Sequence, residues 1–161
     1  MTQELTHVRS DGTVTMVDVG NKPISKRKAL AEGYLEVSQK TFDCIKHQAL
    51  PKGDALACAR IAGILGAKQT SSLIPLCHPL PITFVDVRIE LLDQKIRVES
   101  EVHCNGETGV EMEALMACHI ALATLYDMCK AVQKDMVITN IRLLHKSGGV
   151  RGTYTAEGFS L

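Results

Sequence analysis

The alternation of apolar and polar residues predicts four main strands. Residues 82–92 alternate with the period of a half-buried strand, and residues 95–104 repeat that pattern less cleanly. The short linker Asp93-Gln94 between them predicts a hairpin. Further strands are predicted at 29–38 and 136–147, with an edge strand or ordered arm at 13–19. Residues 21–29 and 49–54 are typical of a loop and a turn.

Two segments predict long helices, the first rich in alanine and glycine and the second in alanine, leucine and methionine. Residues 55–70 follow Asp54, which is a good N-cap. Residues 109–132 begin where Thr108 and Glu111 match the ends of a Ser/Thr-x-x-Glu capping box. A shorter helix is predicted at 39–48 after Ser38. Because interior glycines cost about 1 kcal/mol each relative to alanine, we expect the glycine-containing helix 55–70 to approach the sheet, another helix or a ligand closely.

The order of these elements predicts the fold class. Without the N-terminal arm and the short helix, it is strand, helix, strand, strand, helix, strand. This order is typical of the ferredoxin-like split βαβ arrangement, an α+β fold with helices packed on one face of an antiparallel sheet. The length predicts a single domain, 1–161, with flexible segments at 1–12 and 150–161. The fold alone does not indicate a function, because this architecture hosts many.

Composition excludes some classes of protein. The 18 basic and 18 acidic residues balance, and aromatic residues make up only 4%, which disfavours nucleic-acid binding. No apolar run approaches the roughly 18 residues of a membrane span, and the N-terminus lacks the apolar stretch of a signal peptide. We therefore expect a cytoplasmic protein.

The six cysteines do not form a Cys-x-x-Cys pair. In a reducing compartment we interpret them as small buried hydrophobic residues. A zinc site built from the adjacent Cys-His pairs at 77–78, 103–104 and 118–119 is the weaker alternative, because adjacent ligands are not the usual spacing of a metal site.

Charged residues interrupt the apolar pattern of the second long helix. Glu111 has a structural explanation as the capping-box partner, whereas Glu113 has none. Asp127 and Lys130 have the i, i+3 spacing of an ion pair. This pair is either an ordinary surface salt bridge or, in a partly dry site, a pair with perturbed proton affinities suited to acid–base catalysis.

The spacing of these acidic residues sets a geometric constraint. Glu113 and Asp127 are separated by about 21 Å along a helix with a rise of about 1.5 Å per residue. One small ligand on one subunit is not expected to touch both. Either one residue is structural, the ligand is elongated, or a second subunit supplies part of the site.

Other polar residues suited to a site lie at or beside predicted turns. Arg27, Lys52 and Lys146 are solvated charges in the simplest interpretation and phosphate-binding groups in the functional one. The chain has neither a GxxxxGK[ST] nor a GxGxxG motif, which argues against a P-loop or Rossmann site. Cys77 and His78 lie between prolines in LIPLCHPLP, either as packed residues of a rigid loop or as the wall of a pocket. A nucleophilic cysteine and a general acid–base histidine are possible functions, although structural histidines are more common.

Long stretches of the sequence resemble one known family. KGD followed by ARIAGILGAKQTSSLIPLCHPL, then TGVEMEALMACHIALATLYDMCKAVQKDM and HKSGG, are similar to the cyclic pyranopterin monophosphate synthase (MoaC) family of molybdenum-cofactor biosynthesis. The likeness extends from about Met16 to Gly149. It implies a lyase that converts 3′,8-cyclo-7,8-dihydroguanosine 5′-triphosphate, made from GTP by a radical cyclase, to cyclic pyranopterin monophosphate and diphosphate. It also implies a ferredoxin-like homohexamer built from dimers, with active sites at a subunit interface.

The resemblance also implies functions for individual residues. Catalytic positions are matched by Asp127, Lys130 and Lys52. Substrate-binding positions are matched by Leu76, Cys77, His78, Met112, Glu113, Arg27 and Lys146, of which Arg27 lies in a more variable segment. We expect no cofactor and no metal site, with a need for a divalent metal such as Mg²⁺ left open, and no nucleic-acid or membrane partner. The alternative from another class is a non-catalytic ferredoxin-like oligomer that binds or senses a nucleotide.

Overall fold

A computed structural model describes residues 7–161 as an α+β fold. Its elements are β1 (Ser25–Glu36), α1 (Gln39–Lys46), α2 (Ala55–Lys68), α3 (Thr70–Leu73), β2 (Ile82–Leu92), β3 (Lys95–Gly106), α4 (Glu111–Cys129), β4 (Val137–Ser147) and β5 (Tyr154–Thr155). The strands form one antiparallel sheet in the order β2-β3-β1-β4-β5. This confirms the predicted ferredoxin-like arrangement, to which β5 adds a short edge strand.

The two faces of the sheet differ in polarity because side chains alternate along each strand. On β3, the buried positions are Ile96, Val98, Ser100, Val102 and Cys104. The Ser100 hydroxyl donates to the Ala114 carbonyl of α4 over 2.7 Å, so these positions face the helices. The alternate positions carry charges, and Arg97 donates from Nε to the buried Glu32 carboxylate over 2.9 Å. The core therefore lies between the sheet and the α2–α4 layer.

Two glycines of α2 let its backbone approach α4. A Cβ atom at Gly63 would lie 2.9 Å from the carbonyl oxygen of Ala117, and one at Gly66 would lie 2.7 Å from Cγ1 of Ile120. We call this contact of Gly63 and Gly66 with α4 the glycine seam. It confirms that the interior glycines of α2 mark a close approach, and it identifies the partner as a helix.

Two of the three predicted helix starts are confirmed. The Ser38 side chain accepts from the backbone N–H of Thr41, and the Asp54 side chain accepts from that of Ala57. The capping box at Thr108 is wrong, because α4 begins only at Glu111 and its N-cap is Val110, which makes no side-chain hydrogen bond. With Glu111 at the first helical position, the spacing that a capping box needs is absent.

Residues 13–29 differ from their predicted secondary structure. A strand at 13–19 is wrong, because within the described residues only Val14 pairs there, in an isolated bridge to Val8. The predicted loop at 21–29 is wrong in its second half, since β1 begins at Ser25, whose partner on β3 is Gly106. Alternating side chains become a strand only where a neighbouring strand takes up the backbone hydrogen bonds.

The two segments predicted to be flexible, 1–12 and 150–161, lie at the two ends of the chain. Residues 1–6 lie outside the described part of the chain. In the C-terminal segment, Tyr154 and Thr155 pair with Lys146 and His145 of β4, and Ala156 is buried. The C-terminal segment thus contains ordered contacts with the sheet, while its predicted mobility stays a prediction.

α4 occupies the centre of the helical layer. It packs against α2 on one side and against β1, β3 and β4 on the other. Among residues 7–161, it is the helix whose length and composition would allow it to cross a membrane, but half of its apolar stretch is buried inside the fold. Its apolar character is that of a core helix.

Candidate functional site

A cavity of about 420 Å³ lies where the first turn of α4 meets loop 74–81, the start of β1 and the end of β4. It is lined by all seven predicted substrate-binding residues, namely Leu76, Cys77, His78, Met112, Glu113, Arg27 and Lys146. These residues come from four separate parts of the chain, and the fold brings them together. Their functions stay predictions.

The cavity has a cationic side, built around Arg27. This arginine is only 8% exposed, and its guanidinium donates to the backbone carbonyls of Gly106 (3.1 Å) and Glu107 (3.0 Å). Both acceptors are neutral, so they fix the guanidinium without neutralising its charge. Lys146 adds a second cation, with Nζ 3.8 Å from the Glu111 carboxylate. Cations held in this way suit a phosphorylated ligand.

The glycines of HKSGG are required by the same geometry. Gly148 has a φ of +90°, and a Cβ atom there would lie 1.8 Å from the carbonyl oxygen of Lys26. A Cβ atom at Gly149 would lie 2.8 Å from Nη1 of Arg27. Only glycine at position 148 lets the chain pass β1, and glycine at position 149 leaves room beside the guanidinium.

The cavity also combines apolar side chains with one buried carboxyl group. Leu76, Leu80 and the exposed Met112 line it, and Glu113 is 3% exposed. Burial, with a smaller contribution from the negative charge of Glu111, raises the pKa of Glu113 to about 7. At neutral pH this carboxyl group is therefore neutral for much of the time, unlike an ordinary glutamate.

The two residues between the prolines have different surroundings. Nε2 of His78 lies 2.8 Å from the Val17 carbonyl oxygen, and since a carbonyl only accepts, Nε2 carries the hydrogen. His78 thus holds the segment before β1 against the cavity, which confirms the structural interpretation for this nitrogen. Burial, assisted by the negative charge of Glu113, raises the pKa of the Cys77 thiol. A raised pKa disfavours the thiolate that a nucleophilic cysteine needs.

The three predicted catalytic residues form a separate cluster. Lys52 Nζ lies 2.6 Å from Asp127 Oδ2, and Lys130 Nζ lies 2.7 Å from Asp127 Oδ1. Hydrogen bonds from Lys130 and Lys52 lower the pKa of Asp127 to about 2, and Asp127 in turn raises the pKa of Lys130. The i, i+3 pair is confirmed, and Lys52 joins it from the loop before α2.

This cluster is solvated in the single chain. The Asp127 and Lys130 side chains are each 52% exposed, so in one chain the pair is a surface salt bridge and not the alternative, a partly dry pair. Asp127 also lies near the opposite end of α4 from Glu113, about 21 Å along the axis. One chain therefore presents the two groups of predicted site residues as two separate surfaces.

Two cations of the cavity were missed by sequence reasoning. Lys22 lines it from the segment before β1, and Arg151 lines it from the C-terminal segment. Both lie among glycine and polar residues that are typical of solvated loops. A basic residue next to a run of glycines, as in GGVRG, was the one available signal.

The six cysteines differ in burial. Cys104, Cys118 and Cys129 are buried as expected, whereas Cys58 is exposed. Within residues 7–161, no three His, Cys, Asp or Glu side chains lie together in a group that could hold a metal ion. The adjacent Cys-His pairs therefore do not assemble a zinc site in this part of the chain.

The fold and the cavity define a ferredoxin-like α+β protein with a cavity suited to an anionic, partly apolar small molecule. Residues 16–149 match the MoaC family. The chain is 57% identical over 153 residues to cyclic pyranopterin monophosphate synthase of Nitratidesulfovibrio vulgaris, covering 94% of this chain and 95% of that protein. It is 48% identical over 158 residues to the synthase of Desulfovibrio desulfuricans, covering 97% of each. It is 49% identical over 158 residues to that of Oleidesulfovibrio alaskensis, covering 97% and 99%. This chain belongs to the MoaC family.

Proposed function

We propose that this protein is a cyclic pyranopterin monophosphate synthase. It converts 3′,8-cyclo-7,8-dihydroguanosine 5′-triphosphate to cyclic pyranopterin monophosphate and releases diphosphate, in molybdenum-cofactor biosynthesis. The observation that supports this most strongly is the cavity that unites the seven residues matched to substrate-binding positions. Near-full-length identity to relatives with this name supports the same conclusion.

The two sides of the cavity fit the two parts of such a substrate. The triphosphate carries several negative charges, which Arg27 and Lys146 would neutralise. The guanine-derived ring would lie against Leu76, Leu80 and Met112. A cavity of about 420 Å³ falls within the usual range of roughly 300–1,000 Å³ for small-molecule sites.

The proposed reaction needs proton transfer and stabilisation of a leaving group. Opening of the purine-derived ring requires activation of water and protonation of nitrogen, for which Asp127 and Lys130 are the candidates, assisted by Lys52. A ribose-derived hydroxyl then bonds to the α-phosphorus and loses its proton to a base, while the bond to the β-phosphate oxygen breaks. Nearby cations stabilise the diphosphate that leaves.

A complete site would require two copies of the chain. We infer that the Asp127 cluster of one copy closes the cavity of another, because the two surfaces are separated by about 21 Å along α4. Exposed apolar side chains on the helical side, including Ile61 (61%) and Leu65 (53%), support association of copies. Burial between copies would remove water from the cluster. We propose a homohexamer, built as a trimer of dimers and located in the cytoplasm.

Turnover of the enzymatically prepared cyclised substrate tests the activity. Diphosphate release and the fluorescence of the oxidised pterin would be followed for wild type, Asp127→Asn and Lys130→Ala, with assembly checked by light scattering. We expect turnover by wild type and its loss in assembled variants. Binding without turnover by assembled wild type would refute the enzyme and support the non-catalytic ligand-binding oligomer.

Mixing two inactive variants tests the shared site. Asp127→Asn and Lys146→Ala would be unfolded together and reassembled. Since a mixed dimer with two-fold symmetry has one site with both defects and one intact site, roughly a quarter of wild-type activity is expected. No recovery in demonstrated mixed oligomers would show that both residues act from the same copy.

A further inference from the structure

Arg151 lines the cavity with a guanidinium whose donors are not used by the protein. The residue is exposed, and within residues 7–161 no carboxylate forms an ion pair with it and no carbonyl accepts from its side chain. Two other cations of the cavity are already engaged. Arg27 donates to two backbone carbonyls, and Lys146 lies 3.8 Å from the Glu111 carboxylate. The hydrogen bonds that Arg151 lacks are therefore available to a ligand.

The turn between β4 and β5 holds Arg151 beside the cavity. The backbone N–H of Gly152 donates to the Gly149 carbonyl over 2.9 Å, which closes a four-residue turn with Arg151 at its third position. After the turn, Tyr154 pairs with Lys146 of β4. Both ends of the turn are thus tied to the sheet, so Arg151 is not on a free tail.

Arg151 and Arg27 lie near each other but differ in burial. Gly149, in the same turn as Arg151, packs so closely on Arg27 that a Cβ atom there would lie 2.8 Å from Nη1. Arg27 is 8% exposed, whereas Arg151 is fully open to solvent contact. A row of phosphates that starts at Arg27 and runs toward solvent would therefore reach Arg151 next.

The charges that line the cavity show why this further cation matters. The lining carries four cations and three acidic residues, namely Lys22, Arg27, Lys146 and Arg151 against Glu107, Glu111 and Glu113. Without Arg151 the cations would not outnumber the acidic residues. A ligand with several negative charges is therefore the kind of ligand for which Arg151 makes the largest difference.

We propose that Arg151 binds the terminal phosphate of the substrate and so selects a triphosphate over a diphosphate. This inference rests on the proposed function and assigns a residue to one part of its substrate. A terminal phosphate has three non-bridging oxygens, and two of them can accept the parallel N–H donors of one guanidinium. This contact is the same before and during cleavage of the bond to the α-phosphate. Arg151 is therefore expected to act on KM and to leave kcat nearly unchanged.

Calorimetry with GTP and GDP tests the selection by phosphate number. The two nucleotides differ by the terminal phosphate alone, and divalent metal is left out of the buffer. We expect wild type to bind GTP roughly ten- to a hundredfold more tightly than GDP, which is the usual strength of a hydrogen bond to a charged group. Arg151→Ala should remove this difference by weakening GTP binding, with GDP binding changed by less than about twofold. Arg151→Lys should bind GTP with intermediate affinity, because an ammonium keeps the charge but lacks the paired donors.

Two control variants exclude effects on the loop or on overall charge. Thr153 lies on the same connection and Lys40 lies on α1; both are exposed, and neither lines the cavity. Thr153→Ala alters the connection without removing a charge, and Lys40→Ala removes a positive charge elsewhere. Both variants should bind GTP and GDP as wild type does.

Turnover of the cyclised substrate separates this inference from the proposed function. Arg151→Ala should raise KM roughly tenfold or more with little change in kcat. Equal loss of GTP and GDP affinity, unchanged GTP affinity, or a lower kcat without a higher KM would overturn the inference. Wild-type turnover would leave the proposed function intact in each of these cases. A wild type that selects GTP over GDP but turns over no substrate would support the phosphate contact and refute the proposed function.

Discussion

Replacing Glu113 by glutamine should stabilise the protein at alkaline pH. Burial raises the pKa of this carboxyl group from 4.5 to about 7 in the folded chain. A group with a raised folded pKa contributes its stability in full below its unfolded pKa and loses it as pH rises through the folded pKa. Wild type therefore loses stability between about pH 4.5 and pH 7 because folding keeps Glu113 protonated.

The size of this effect follows from the difference between the two pKa values. Each tenfold change in proton affinity corresponds to about 1.4 kcal/mol. The difference between 4.5 and about 7 therefore lowers the free energy of unfolding of wild type by roughly 3 kcal/mol at pH 8, where Glu113 is ionised in both states. Glutamine has nearly the same shape and does not titrate. The free energy of unfolding of Glu113→Gln should therefore exceed that of wild type by up to roughly 3 kcal/mol at pH 8, and most of this gain should vanish near pH 5.

Urea unfolding at pH 5 and pH 8 measures both values. Wild type and variant must be compared at one protein concentration, because association of copies adds to apparent stability. Glu107→Gln is the matched control, since its side chain lines the same cavity but is partly exposed. The reasoning is refuted if Glu113→Gln is no more stable than wild type at pH 8, or if it gains equally at both pH values.

Three further predictions concern other parts of the fold. Gly63→Ala should lower the urea midpoint. Overpacking costs about 1–3 kcal/mol, and we expect the upper part of this range because the Cβ atom would lie 2.9 Å from the backbone oxygen of Ala117. That cost exceeds the roughly 1 kcal/mol gained in helix propensity, so a raised midpoint would contradict the glycine seam. Gly148→Ala should lower stability by more than about 1 kcal/mol and weaken calorimetric binding of GTP, because a Cβ atom cannot pass Lys26; an unchanged protein would disprove this close approach. Burial opposes ionisation of Glu101, but hydrogen bonds from neighbours such as Lys28 lower its pKa to about 2. The stability this provides is present above pH 4.5 and is lost as pH falls toward 2. Glu101→Gln should therefore be less stable than wild type at pH 7, and the difference in unfolding free energy should shrink as the pH of the unfolding assay is lowered. A difference that stays constant with pH would contradict this prediction.

Periodicity predicted most of the fold because each long element carries a clear apolar pattern. The helices after Ser38 and Asp54 and the hairpin of β2 and β3 illustrate this. The errors arose where tertiary contacts decide the outcome. Residues 13–19 alternate but have no continuous neighbouring strand, and the Thr108 capping box matched in sequence while α4 began too late to use it.

The candidate site was predictable as a set of residues but not as a geometry. Family motifs supplied the residues, and only the fold shows that Arg27 and Glu113 line one cavity. The contact of Lys52 with Asp127 depends on the packing of α2 beside α4, which no local pattern encodes. Lys22 and Arg151 lie in irregular segments, where a basic residue is ordinarily a solvated charge.

The glycine seam also sets the spacing of the cluster that we propose to be catalytic. Lys52 lies just before α2 and Asp127 lies on α4, so their 2.6 Å contact joins the same two helices whose separation Gly63 and Gly66 set. A methyl group in the seam would push these helices apart, and misplacing a reacting group by about 1 Å can cost roughly a hundredfold in rate. Substitution of Gly63 or Gly66 would thus lower the proposed activity. This loss would remain in a variant whose stability had been restored by compensating substitutions elsewhere.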